Sequence, residues 1–143
     1  MTARPWGPRP KAGDIVQCRL PESEGGIPGP KETPVLVVEV EEDPEDESAS
    51  IVRVAYGTSQ DVEQRYPGEF TIRATDPKAG LGRDTKFDLG NTVRLSFDSE
   101  WFAPSPNRRF GGHPKRGTLN LEDQKLKRAL QAAIREAKDA GRL

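Results

Sequence analysis

The sequence predicts a mainly β domain, a small curled antiparallel barrel that ends in one α-helix. Three observations predict it. Short runs rich in Val, Ile, Leu and Phe recur between Gly- and Pro-bearing breaks, at 15–20, 35–40, 51–56, 70–73 and 85–97. One segment, 126–137, repeats its apolar residues at helical spacing. No internal repeat divides the 143 residues, a length that suits a single domain. Several short strands with one terminal helix fit a small barrel.

Residues 1–12 read as a flexible Pro-rich arm, because Pro5, Pro8 and Pro10 exclude a helix. Residues 13–143 read as the single domain. Gly13-Asp14 opens a strand at Ile15–Leu20, with Val16, Cys18 and Leu20 on the core face and Asp14 as a turn residue. Residues 21–34 form a Gly/Pro-rich loop. Val35–Val40 lacks alternation, as a strand covered on both faces does. The acidic run Glu41–Glu47 reads as a solvated hairpin loop. Strands follow at Ile51–Tyr56 and Phe70–Arg73. Residues 85–97 alternate except at Gly90-Asn91, which predicts two short strands or one bulged strand. Residues 103–117 read as irregular. The helix spans 120–140, with Asn120 as N-cap and Gly141 as its stop.

Charged residues make up 31% of the chain and the hydrophobic set 33%, with mean hydropathy −0.77. The longest apolar stretch, Val35–Val38, is four residues, against about 18 for a membrane span. The arm carries Arg4, Arg9 and Lys11 with no apolar segment behind them, so it does not read as a signal peptide. One Cys and one His exclude an internal disulfide and a Cys/His zinc cluster. No metal or cofactor is expected. Net charge −1 hides a split: residues 1–103 carry 12 Lys/Arg against 19 Asp/Glu, and residues 104–143 carry 10 against 4. Arg108, Arg109, Lys115 and Arg116 flank Phe110, a pattern that suits gripping phosphates and stacking a base. A solvated loop is the other reading. Cys18 reads as a buried small hydrophobe, and His113 as a residue of an exposed loop.

Gly13-Asp14-Ile15-Val16, a Gly-rich loop into Pro34-Val35-Leu36-Val37-Val38, and Val52–Ala55 leading to Thr58-Ser59-Gln60 follow one another in order. Lys86-Phe87-Asp88, Thr92-Val93 and Gly117-Thr118-Leu119 come after them. Over roughly residues 12–140 this series resembles the PemK/MazF family of toxins from bacterial type II toxin–antitoxin systems. The resemblance implies an SH3-like barrel, a cytoplasmic homodimer and a hydrolase. It implies a metal-independent endoribonuclease that cleaves single-stranded RNA to 2′,3′-cyclic phosphate and 5′-OH ends. It also implies a cognate antitoxin whose C-terminal segment occupies the RNA groove.

Carried over by residue, the resemblance makes Thr58, Ser59, Lys86 and Asp88 the catalytic candidates. Thr58-Ser59 matches the family's hydroxyl pair. Lys86-Phe87-Asp88 stands where the Kid-like branch has Arg-x-Asp, and residues 86 and 88 share one strand face. Thr33-Pro34 stands where the family has Arg-Pro, and residues 22–30 contain none of the His some members place there. Lys31, Arg53 and Arg73 are the cations that can stand in. Lys31, Thr33, Gln60, Arg73, Arg108 and Arg109 are the RNA-binding candidates. The alternative is a catalytically impaired module on the same barrel that binds RNA or a partner peptide without cutting. A third reading makes the acidic run a nucleic-acid mimic that blocks a basic partner.

Overall fold

The computed structural model describes residues 3–21 and 26–143, and leaves the side chains of Glu47 and Ser48 outside that description. Residues 22–25 of the loop predicted at 21–34, and the first two residues of the arm, also lie outside the described residues. The elements are β1 (Asp14–Cys18), β2 (Thr33–Asp43), β3 (Asp46–Thr58), β4 (Glu69–Ile72), β5 (Thr85–Ser96), β6 (Lys115–Thr118) and α1 (Gln124–Asp139). All strand pairs are antiparallel, in the order β4-β5-β3-β2-β1-β6. The domain is therefore mainly β with a C-terminal helix, as predicted. The sheet is not closed, and β4 and β6 are its edges.

Two apolar clusters sit on opposite faces of the sheet, which explains the unalternating strands. Leu36 and Val38 join Ile15, Phe70, Phe87 and the helix residues Leu126, Ala133 and Ala137. Val35 and Val37 join Val16, Cys18, Val52, Val54, Phe97 and Phe102. β1 is buried on both faces rather than only on its Val16–Cys18 side. The arm lies along the second cluster, where Trp6 donates its indole N–H to Phe102 O at 3.1 Å.

Four elements differ from the sequence reading. β2 and β3 run to Asp43 and from Asp46, so most of the acidic run is strand and only Pro44-Glu45 turns. Its charge is partly matched: Glu41 pairs with Arg94, and Glu42 with Arg9 at 2.8 Å. The N-cap is Asp123, which accepts from the N–H groups of Lys125 and Leu126, and Asn120 belongs to the preceding turn. Most of β6, from Lys115 to Gly117, lies inside the segment read as irregular. It forms because β1 offers it a ladder and the β4–β5 loop covers it, with Thr118 N–H donating to Lys78 O at 2.8 Å.

β5 is one bulged strand, the second of the two forms predicted. Between Ala55 and Tyr56 of β3 its register jumps from Thr92 to Asp88, so Leu89-Gly90-Asn91 bulge out. The bulge lets the first part of β5 pair with β3 and β4 together.

Candidate functional site

The end of β3 and the start of β2 meet at one corner of the sheet. Gly57 permits the approach, since a Cβ there would lie 2.6 Å from Pro34 O and 2.9 Å from Phe87 Cε1. The β4–β5 loop crosses to β6 at the same corner. Together these segments enclose a cleft of about 370 Å3 that includes Glu32, Thr33, Thr58, Ser59, Arg83 and Arg116 in its lining. Thr58 is exposed, and its Oγ1 accepts from the Gln60 N–H at 3.1 Å. That bond occupies an oxygen lone pair and leaves the hydroxyl hydrogen to donate.

Arg116 is the unusual member. It is 9% exposed, and among the described residues it forms no ion pair. Its Nη1 donates to Gln17 Oε1 at 2.8 Å and its Nε to Gly80 O at 3.2 Å. Both acceptors are neutral. Burial pulls the guanidinium pKa below its ordinary value. Arg83 is exposed beside it, also without an ion pair among the described residues.

The other predicted residues are dispersed. Lys86 and Asp88 share a strand face, as the period of two requires, but neither lines the cleft. Lys86 is 5% exposed. Its Nζ donates to Gln64 O at 2.7 Å and Asp61 O at 3.2 Å, and faces Glu69 Oε1 at 3.3 Å. Asp88 Oδ1 accepts from the Gly90 N–H at 2.9 Å, inside the β5 bulge. Arg73 is held by Glu63 at 2.9 Å and Asp84 at 3.1 Å, beside a different hollow near the start of α1. Those two carboxylates raise its pKa. Lys31 and Gln60 are exposed and do not line the cleft. Arg108 is exposed with φ 48°, and Arg109 donates to Pro77 O and stands 5.7 Å from the Phe110 ring. Thr33, Thr58 and Ser59 are thus the predicted residues that the fold brings together.

His113 is half-buried rather than solvated. Its Nδ1 accepts from the Lys115 N–H at 3.0 Å, and its Nε2 lies 2.8 Å from Pro8 O. The two contacts assign the Nε2–H tautomer and tie the arm to the 110–115 segment. Cys18 is fully buried, and burial pushes its thiol up to about 12.

Sequence reasoning missed Glu32, Arg83 and Gln17, and read Arg116 only as part of a basic segment. The legible signal was slight: with β6 recognised, Lys115 and Arg116 fall on opposite strand faces. Among the described residues no His/Cys/Asp/Glu group is arranged to hold a metal ion, and no helix is long and apolar enough to cross a membrane. Comparison with protein-family models and with curated protein sequences found no match to this chain.

Proposed function

We propose that the protein is an endoribonuclease of the PemK/MazF type, acting on single-stranded RNA at the Thr58–Ser59 cleft. The observation that carries this reading is that Arg83 and Arg116, which form no ion pair among the described residues, line one cleft with Thr33, Thr58 and Ser59. Such a set suits a phosphodiester, whose charge grows as the phosphorus becomes five-coordinate.

In the reaction the ribose O2′ bonds to the adjacent phosphorus and the P–O5′ bond breaks. A proton leaves O2′ and another reaches O5′, so the products are a 2′,3′-cyclic phosphate and a 5′-OH with no co-reactant consumed. Glu32, the carboxylate among the described lining residues, takes the O2′ proton, and solvent water supplies the proton to O5′. Thr58 donates its hydroxyl hydrogen to a non-bridging oxygen. Lys86 and Asp88 belong to the frame. An antitoxin segment covering the same cleft, and a second copy completing a homodimer, are the protein partners in this reading. The cytoplasm is its compartment.

A second reading is binding without cleavage. It is favoured by the position of His113, whose ring nitrogens are both engaged away from the cleft. One experiment separates the two. Purified protein is incubated with a mixed RNA pool, 5′-OH ends are mapped, and binding is measured in parallel. New ends lost in Glu32→Gln, with binding kept, support cleavage. Binding without new ends supports the second reading. Neither binding nor ends rejects both.

A further inference from the structure

We propose that Arg116 is the cation that holds the phosphodiester in the cleft and that Gln17 is its positioning residue. The proposal rests on reading the cleft as an RNA site.

The first argument is charge. A buried guanidinium is ordinarily matched by a carboxylate, because removing an ion from water is costly without one. The adjacent Lys115 follows the rule, with Asp14 Oδ1 3.5 Å from its Nζ. Arg116, more deeply buried, does not: its protein acceptors are the neutral Gln17 Oε1 and Gly80 O. A charge kept buried and uncompensated beside a cleft is a standing attraction for an anion.

The second argument is direction. The bonds to Gln17 and Gly80 use Nη1 and Nε, and Nη2 has no protein partner among the described residues. Every fully buried side-chain nitrogen and oxygen among those residues has a hydrogen-bond partner. Nη2 is therefore not fully buried, at a residue that lines the cleft. Gln17 is 6% exposed and sits on β1, so the group that aims the guanidinium is itself fixed by the sheet.

The third argument is rigidity. Gly80 has φ +66°, and a Cβ on it would stand 2.0 Å from Arg116 O. Asn107 Nδ2 donates to Gly80 O at 3.1 Å and to Arg116 O at 3.2 Å. Three chain segments therefore lock the backbone behind Arg116. A donor fixed before the ligand arrives loses little on binding, and it is worth most where charge develops. Arg83 from the loop, Thr58 and Ser59 line the same cleft. Guanidinium suits a phosphodiester better than ammonium does.

The test uses the full chain and inorganic phosphate, with dimethyl phosphate as the phosphodiester probe. Arginine Nε–H resonances are followed by NMR, each assigned through its own side-chain connectivities. The expected result is a saturable shift at Arg116 with both probes. Arg116→Lys should weaken phosphate binding at least fivefold. Gln17→Glu is the decisive variant, because it gives Arg116 an internal carboxylate at the same place. It should lose at least tenfold in phosphate affinity while its thermal stability holds or rises, an effect that a purely structural role for Gln17 does not produce. An Arg116 resonance that stays still while phosphate binds elsewhere overturns the proposal, as does wild-type affinity in Gln17→Glu. Saturable binding at Arg116 in a protein that leaves RNA intact supports the anion site and counts against the cleavage reading alone.

Discussion

Replacing Lys86 by Met asks whether this ammonium belongs to the frame or to the site. The substitution keeps the length of the stem and removes the charge. The lysine side chain is 6% exposed and faces a Glu69 carboxylate that is 13% exposed. It also supplies the donor for the carbonyls of Asp61 and Gln64, in a loop where Asp61 has φ 51°. Breaking a buried pair from one side costs about 3–5 kcal/mol. The loop can relax toward water, so the low end, about 3 kcal/mol, is expected here. For a domain of this size each kcal/mol moves the melting temperature by about 3 °C, so Lys86→Met should melt about 10 °C lower. Adding Glu69→Gln neutralises the stranded carboxylate and should recover about half of that loss. Thermal and urea unfolding read the stability, and RNA cleavage is measured well below both transitions, where it should persist. A variant that melts within a degree of wild type yet has lost all RNA activity would refute the reasoning. Lys86 would then be a ligand of the phosphate.

Gly57→Ala sets a Cβ against the Pro34 carbonyl and the Phe87 ring. It should cost about 2 kcal/mol or more and weaken RNA binding, and an unchanged urea midpoint would refute the close approach. The Gly68 N–H and Arg65 hold the Glu136 carboxyl below its ordinary range, and the Ala74 N–H and Arg73 do the same for Asp84. A depressed carboxylate contributes stability that is present above its unfolded pKa and lost as the pH falls through its folded pKa. The urea midpoint should therefore hold near neutrality and drop below about pH 4, with a shallower drop in Glu136→Gln. The Cys18 thiol, raised to about 12 by burial, should react with iodoacetamide at neutral pH only as fast as the domain opens, a rate that urea accelerates. Asp123→Ala removes the acceptor for two N–H groups of the first turn of α1 and should cost about 1 kcal/mol by urea unfolding.

Much of the fold is legible in local pattern. Val35–Val38 lacks alternation because the sheet carries an apolar cluster on each face. The break at Gly90-Asn91 marks the bulge that turns β5. The stripe from Leu126 to Ala137 is the buried face of α1. β6 is not legible, because Lys115-Arg116-Gly117-Thr118 has no strand-like apolar residue. It is a strand through its partners, β1 on one side and the chain at Lys78–Ala79 close against Gly117.

The site divides in the same way. Thr58 and Ser59 follow a strong strand and can be placed at its end from the sequence. The shared face of Lys86 and Asp88 is also readable, but the loop that encloses the Lys86 ammonium is a long-range fact. Arg83 and Arg116 lie 33 positions apart in the sequence. They line one cleft because the β4–β5 loop crosses to an edge strand, and no local spacing records that crossing.

The most direct test of the central claim is single-turnover cleavage of single-stranded RNA by wild type, Arg116→Lys and Lys86→Met, with 5′-OH ends counted over time. Wild type and Lys86→Met should generate these ends at similar rates, and Arg116→Lys should be slower by about 100-fold, the typical loss of a fixed charge-stabilising donor. The account is contradicted if wild type generates no 5′-OH ends, or if Arg116→Lys generates them as fast as wild type.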